Sequence, residues 1–206
     1  MKILHLFNDL MNLYGEYANT LALQRALSEK GRAAEIERLS IDDELDLSEY
    51  DFIYIGSGTE KNQKTALEYL RSYNEELKAA LDGGKPILAT GNSFEIFGAK
   101  ITDRYGKEYE GLSFFDFTVT EGSERIVEDV TADFDGNKVI GFINKASMID
   151  GISEPLFVIK QGVGNCESSP SVEGIRAGSF YGTHIIGPLL IRNKCMADHF
   201  ADMLIN

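Results

Sequence analysis

One turn of this chain has the shape on which enzymes present a reactive side chain, yet the residue at the turn has no side chain. The apolar run Pro86–Thr90 predicts a buried strand, and the residues after it predict a tight turn and the start of a helix. Many hydrolases mount their nucleophile at such a strand–turn–helix junction. The residue at the turn is Gly91. The sequence therefore predicts an enzyme scaffold without its nucleophile.

A second candidate loop follows the apolar strand Asp51–Ile55 and begins Gly56-Ser57-Gly58. Glycines let backbone N–H groups approach a ligand closely, and such groups could stabilise a negatively charged oxygen. The loop does not fit a dinucleotide-binding fingerprint, which would need glycine in place of Lys61. A Gly-x-Gly loop is also typical of an ordinary tight turn before a helix.

A third candidate loop, Gly182–Pro188, lies late in the chain and contains His184. Open α/β sheets bind ligands at the carboxyl ends of their strands, so we expect the three loops to meet there. The strand–turn–helix junction at Gly91, which we call the elbow, would hold the nucleophile. Together with the glycine loop and the strand end near His184, it favours a nucleophile–base–oxyanion arrangement.

Two hydroxyl residues beside the turn could replace the missing nucleophile. Thr90 lies directly before the turn and Ser93 two positions beyond it, so a Ser93–His184 or Thr90–His184 pair is one hypothesis. Ser93 is more typical of a helix cap, and His184 of a surface or hydrogen-bonded strand residue. We favour these structural roles.

Strand and helix patterns alternate through the first half of the chain. Predicted strands at Lys2–Phe7, Asp51–Ile55 and Pro86–Thr90 alternate with predicted helices at Tyr17–Lys30 and Thr65–Leu81. Short connections between such elements predict an α/β fold with a mostly parallel sheet flanked by helices.

The pattern changes after Ala99 to short apolar segments separated by turns such as Asp133–Asn137. These segments predict hairpins and antiparallel additions in the second half. Arg192–Ile205 predicts a closing helix with Asn193 as its N-cap. No linker or repeat interrupts the chain, so we expect a single domain over residues 1–206.

Composition narrows the partners and cofactors. The net charge of −13 makes a nucleic-acid backbone an unfavourable partner. The two cysteines, Cys166 and Cys195, form no disulfide framework or zinc-site spacing, so we expect no metal and no cofactor. No apolar run approaches the roughly 20 residues that cross a bilayer. The apolar start is too short for a signal peptide, and we expect a cytoplasmic protein without membrane insertion.

In their order and spacing, these loops and the segments between them resemble class I glutamine amidotransferases of the cobyric-acid-synthase type. The matching residues run almost from end to end: Asn12-Leu13-Tyr14 with Asn19, the glycine loop that ends at Gln63, Gly84 to Gly98, Glu110-Gly111-Leu112 with Asp116-Phe117, Gly141-Phe142 with Asn144, Gly182-Thr183 and Gly187-Pro188. Within this family the chain is most similar to the glutaminase subunits of lipid II isoglutaminyl synthases. The resemblance implies a flavodoxin-like fold, a Mur-ligase-like partner subunit and a role in peptidoglycan synthesis.

The chain departs from the family pattern at the reactive positions. The resemblance puts the family's cysteine nucleophile at Gly91 and the histidine base of its His-Gly-Pro segment at Ile186. Lys145 stands where the family tends to have another histidine. The resemblance also implies five ligand-binding residues, among which the arginine would hold glutamine: Gly56, Ser57, Gly58, Asn92 and Arg125.

Loss of both reactive groups has a severe chemical consequence. Glycine cannot form a thioester, isoleucine cannot transfer a proton, and removing one member of such a pair costs on the order of a million-fold in rate. Our leading hypothesis is a degenerate glutaminase domain that binds a small carboxylated ligand such as glutamine, or a partner. The alternatives are an amidotransferase subunit completed by its partner, and a hydrolase that uses Ser93 or Thr90 with His184.

Overall fold

A computed structural model describes residues 1–206 as twelve β-strands and five α-helices. The strands are β1 (Lys2–Leu6), β2 (Glu35–Leu39), β3 (Phe52–Ile55), β4 (Ile87–Thr90), β5 (Lys100–Thr102), β6 (Glu108–Glu110), β7 (Thr118–Phe134), β8 (Asn137–Asp150), β9 (Phe157–Gln161), β10 (Val172–Glu173), β11 (Ile175–Ala177) and β12 (Phe180–Thr183). The helices are α1 (Ala18–Glu29), α2 (Glu60–Leu70), α3 (Asn74–Asp82), α4 (Leu189–Arg192) and α5 (Lys194–Ile205).

The first sheet has the strand order β11-β12-β4-β3-β1-β2, and every pair in it is parallel except β11 with β12. Its central strands are buried, as their continuous apolar sequences predict, because helices cover both faces. On one face Phe52 packs with Leu23 of α1 and Phe200 of α5. On the other face Ile53 packs with Leu67 of α2. The predicted parallel α/β core is confirmed.

The second sheet supplies the antiparallel additions expected after Ala99. Its path is β10-β9-β7-β5-β6, and β8 pairs with β7 in a long antiparallel hairpin. The hairpin turns at Asp135 and Gly136, whose φ angles of 49° and 82° are those of a two-residue primed turn. The Asp-Gly dipeptide predicted this turn correctly.

An irregularity in this hairpin lies beside the first sheet. Glu121 of β7 pairs with Ser147 of β8 and Ile126 pairs with Lys145, so residues 122–125 lie opposite Ala146 alone. Extra residues in one strand bend it and re-aim its side chains. This bulge brings both strands of the hairpin to the edge of the first sheet where β4 ends.

Three local predictions require correction. The expected helix Thr65–Leu81 is two helices, α2 and α3, separated by a 3-10 turn at Arg71–Tyr73. The segment after β4 is a 3-10 stretch, Gly91–Phe97, rather than the start of an α-helix. The third concerns Asn193, which stands at the predicted N-cap position of α5 but makes no side-chain capping bond, because its side chain bonds the backbone of Ile140 in β8 instead. No helix of the chain has the length and apolar character needed to span a bilayer.

Candidate functional site

The turn after β4 keeps the backbone shape of a nucleophile elbow. Gly91 is buried and has φ of +65°, a left-handed conformation that residues with side chains rarely adopt. The nucleophile of an elbow sits on such a sharp, strained turn. The predicted elbow is therefore present, and its central position carries only a hydrogen atom.

The three loops named from the sequence meet around one cavity of about 190 Å³. Gly91, Gly58 and His184 come from the three loops, and Arg125 from the bulge of β7 completes the wall. Ile186 also lines the cavity, and its backbone pairs with that of Phe142 in β8. The cavity is small beside the roughly 300–1,000 Å³ of drug-sized ligand sites, and it suits a molecule the size of an amino acid.

Ser57 crowds the elbow from the neighbouring loop. A Cβ atom built on Gly91 would overlap the Cβ of Ser57 and would lie 3.2 Å from its Oγ. The Ser57 side chain is 4% exposed, and its hydroxyl makes no hydrogen bond within the protein. Buried hydroxyls are nearly always paired, so this group is available to a molecule in the cavity.

The backbone donor that could hold an oxyanion is already occupied. The Gly58 N–H donates to Oδ1 of Asn92 at 3.0 Å. Gly58 itself is needed for packing, because a Cβ there would lie 2.9 Å from the carbonyl oxygen of Leu10. The glycine loop thus approaches another part of the backbone closely, and its Gly58 N–H is paired with the Asn92 amide.

His184 lies at the floor of the cavity in a buried polar cluster. Its Nε2 is 2.8 Å from Oε1 of Glu95, and its Nδ1 is 3.6 Å from Oε1 of Glu173. Glu173 also accepts from the backbone N–H of His184 at 2.7 Å and from the Thr183 hydroxyl at 2.5 Å. His184 is hydrogen-bonded as expected, but it is buried and lies directly after β12 rather than within a strand.

Ser147 of β8 is a third hydroxyl of this cavity, and sequence reasoning did not identify it. Its Oγ is 3.4 Å from Nε2 of His184 and donates a hydrogen bond to Oε1 of Glu95. The imidazole Nε2 faces the same carboxylate oxygen. Because Glu95 holds both groups, His184 is not positioned to take the Ser147 proton.

Glu95 and Lys145 are charged groups buried in the wall of the cavity. Burial acts to raise the pKa of Glu95, but hydrogen bonds from His184, Ser147 and Gln63 outweigh it and keep this pKa below its usual value. Burial lowers the pKa of Lys145, whose Nζ donates to the carbonyl oxygens of Gly164 and Asn165 at 2.7 and 3.0 Å. A lysine held by two carbonyls is an anchor for their loop.

The two hydroxyls considered as substitute nucleophiles point away from His184. Ser93 donates to the carbonyl oxygens of Ile55 and Thr90, at 3.0 and 2.9 Å. Thr90 donates to Oε2 of Glu16. The structure therefore brings neither Ser93 nor Thr90 together with His184, and Ser93 does not cap the segment that follows the elbow.

Glu16 is a buried carboxyl group on the far side of the elbow. It accepts from Thr90 and from the Tyr54 hydroxyl at 3.0 Å, and its Oε1 makes no hydrogen bond. Burial raises the pKa of Glu16 to about 7, despite the hydrogen bonds from Thr90 and Tyr54. No group of three or more side chains of the chain is arranged to hold a metal ion.

Arg125 lies at the rim of the cavity as the sequence predicts, but it already has partners. Its Nη2 forms an ion pair with Glu60, and its Nη1 donates to Oδ1 of Asn144 at 3.1 Å. Asn144 in turn donates to the Tyr14 hydroxyl at 2.8 Å. An anionic ligand that reaches Arg125 must therefore compete with Glu60.

Solved structures of glutamine amidotransferases share this fold. One covers 98% of this chain and 99% of its own, with a TM-score of 0.64 and 14% identity. The glutaminase domain of Trypanosoma brucei CTPS with bound acivicin covers 100% of this chain and 94% of its own, with a TM-score of 0.53 and 10% identity. These likenesses define the architecture as that of the class I glutamine amidotransferases.

Sequence comparison assigns the family within that class. Residues 2–194 match the CobB/CobQ-like glutamine amidotransferase domain, and the chain belongs to this family. It is 26% identical over 203 residues to lipid II isoglutaminyl synthase (glutamine-hydrolyzing) subunit GatD of Staphylococcus aureus, covering 98% of this chain and 83% of that protein. The same subunit of Streptococcus pneumoniae is 27% identical over 203 residues, covering 96% of this chain and 77% of that protein.

Proposed function

We propose that this protein is a glutamine amidotransferase domain that binds a small ligand without hydrolysing it. The observation that carries the proposal is the cavity lined by both Gly91 and Ile186, which leaves it without a thiol and without the expected base. Two further contacts support it. Ser57 fills the space beside the elbow, and Asn92 covers the Gly58 N–H.

The ligand we propose is glutamine or a related small carboxylated amino acid. The cavity has the size of such a molecule, and Arg125 at its rim is the group that would bind a carboxylate. Ser57 contributes an unpaired hydroxyl. Gly58 and Asn92 also line the cavity, whereas Gly56, expected from the resemblance to bind the ligand, does not.

Ammonia release tests the loss of hydrolysis. We expect purified protein incubated with L-glutamine to release no ammonia above the uncatalysed background, because no residue can form the thioester. A glutaminase with intact cysteine and histidine, assayed in parallel, verifies the sensitivity. Steady ammonia release that scales with protein concentration would contradict the proposal.

Calorimetry tests the proposed ligand. We expect L-glutamine or L-glutamate to bind, and Arg125→Gln to weaken binding by roughly 10- to 100-fold through loss of a charged hydrogen bond. Glu60→Gln frees Arg125 from its ion pair, so we expect this variant to bind the carboxylate more tightly than the wild type. A flat titration with wild-type protein would exclude these ligands.

We also propose a partner and a pathway for this domain. The similar proteins are named as subunits of lipid II isoglutaminyl synthase, which supports a cytoplasmic complex with a Mur-ligase-like subunit in peptidoglycan synthesis. Co-expression with such a subunit should yield a complex that amidates with added ammonia but not with glutamine. Glutamine-dependent amidation would favour the alternative, an amidotransferase completed by its partner.

Serine hydrolysis is a second candidate because of one observation. Ser147, His184 and Glu173 follow one another at 3.4 and 3.6 Å, in the order of a nucleophile, a base and an orienting carboxylate. Glu95 opposes this role by engaging both Ser147 and His184. A fluorophosphonate probe followed by peptide mapping distinguishes the two functions, since labelling at Ser147 would support hydrolysis and its absence is our expectation.

A further inference from the structure

The elbow and the glycine loop approach so closely that only one of them can carry a side chain. Gly91 and Ser57 face each other where β4 and β3 end, and the overlap expected for a side chain on Gly91 is with the Cβ of Ser57. Both residues are buried, with Ser57 at 4% exposure.

The neighbours of each residue restrict how the overlap could be relieved. The Gly58 backbone lies against the Leu10 carbonyl, and the Ser57 carbonyl accepts from the Leu13 N–H at 2.9 Å. The Gly56 backbone likewise lies against the Met11 carbonyl, so the loop that carries Ser57 is tied to the segment before α1 on both sides of this residue. On the other side, Ser93 bonds the carbonyls of Ile55 and Thr90 and fixes the elbow against β3.

We infer that Ser57 takes the side-chain position of the elbow and is a third determinant of its inert state, beside Gly91 and Ile186. The inference rests on the proposed loss of glutaminase chemistry and adds a steric reason for it. Restoring a thiol at position 91 is not sufficient, because the thiol cannot reach its working position while any Cβ remains at position 57. The Ser57 hydroxyl, buried and unpaired, is then the group that the site offers at that point instead.

A set of cysteine variants separates this overlap from backbone strain. Gly91→Cys places a side chain on a residue with positive φ, and it also creates the overlap with Ser57. Gly178→Cys is the matched control, because Gly178 has φ of +58° and no atom lies within 4 Å of its built Cβ. Both variants carry the strain of the left-handed conformation, and only the first carries the overlap.

We expect Gly91→Cys to lower the Tm by at least about 5 °C more than Gly178→Cys does. Adding Ser57→Gly should recover most of this difference, whereas adding Ser57→Ala should not, because alanine keeps the Cβ that overlaps. In the Gly178→Cys background, Ser57→Gly should give no recovery.

Alkylation gives a second readout. Iodoacetamide labelling with peptide mapping distinguishes an introduced thiol from Cys166 and Cys195, and we expect position 91 to react at least about tenfold faster with Ser57→Gly than with Ser57→Ala. Equal Tm losses in Gly91→Cys and Gly178→Cys, with equal labelling in both double variants, would overturn the inference. Ammonia release by the wild type would instead refute the proposed function and leave this steric result unchanged.

Discussion

Glu16 shows how a single buried residue near the elbow affects the whole protein. Its pKa of about 7 in the folded state lies above the ordinary value of 4.5, because burial disfavours the charged form. The folded state therefore binds the proton more tightly than the unfolded state, and stability falls as the pH rises from about 4.5 to about 7. Above that range Glu16 is ionised in both states, and its destabilising effect is fully present.

We predict that Glu16→Gln stabilises the protein mainly at high pH. The amide imitates the protonated carboxyl group, so the free energy of unfolding should rise by about 3 kcal/mol at pH 8 and by about 1 kcal/mol at pH 5.5. Urea denaturation at the two pH values measures both gains. Glu44→Gln, at an exposed position, is the control and should give the same small change at each pH. A gain from Glu16→Gln that does not depend on pH would contradict the predicted titration.

The sequence predicted some residues of the site and missed others for a physical reason. Gly91 was recognisable because a strand, a turn and a helical segment are local sequence patterns. Ile186 was recognisable because the chain resembles a family that has histidine at this position. Glu95, Ser147 and Glu16 were missed. Their importance comes from partners 37 to 89 positions away, which a linear pattern does not reveal.

At the scale of elements, Asn193 joins the C-terminal helices to the second sheet. Its Oδ1 accepts from the Ile140 N–H, and its Nδ2 donates to the carbonyl oxygens of Ile140 and Leu189, all at 2.8 Å. Asn193 is 4% exposed, so water cannot replace these bonds. One side chain thus satisfies both backbone groups of a strand residue.

We predict that Asn193→Ala lowers the free energy of unfolding by about 2–4 kcal/mol. The change leaves the N–H and the carbonyl of the half-buried Ile140 without these partners, and each such group costs about 1–3 kcal/mol. Asn206→Ala, at the exposed chain end, should change stability by less than about 0.5 kcal/mol. A loss below about 1 kcal/mol for Asn193→Ala would show that the two elements are held together without this bridge.

Sequence patterns predicted some features of the helices and strands and missed others. Apolar runs predicted the parallel strands, and Asp135-Gly136 predicted the hairpin turn, because both depend on neighbouring residues. The stripe of apolar residues over Thr65–Leu81 did not reveal the break at Arg71–Tyr73. The bulge of β7 was equally invisible, since it depends on register against β8. The position of Arg125 at the cavity was therefore expected from the resemblance alone.

At the scale of the whole molecule, the cavity couples ligand binding to stability. The loops that follow β3, β4 and β12 of the first sheet line it together with residues of β7 and β8 of the second sheet. A bound ligand therefore contacts segments that belong to both halves of the molecule. A ligand that binds only the folded state stabilises it by about 2.7 kcal/mol at 100 times its Kd.

We predict that saturating L-glutamine or L-glutamate raises the Tm by roughly 5–10 °C, the shift that this energy gives for a chain of this size. Differential scanning calorimetry measures the shift. At the same ligand concentration, Arg125→Gln should reduce the shift to about half or less, because its weaker binding leaves the ligand at only about 1–10 times Kd. Arg32→Gln, an equal change of charge at an exposed residue outside the cavity, should preserve the full shift. A full shift in Arg125→Gln would place the ligand elsewhere on the molecule.

The close approach of positions 57 and 91 restricts how a protein with this site could evolve. A lineage that has acquired a side chain on the glycine loop cannot return to thiol chemistry by one substitution at the turn, because that intermediate is unstable. Removing the serine first gives no catalytic benefit while the thiol is absent, so selection for hydrolysis cannot favour either first step. Under the proposed function, Ser57 makes a return to glutamine hydrolysis difficult.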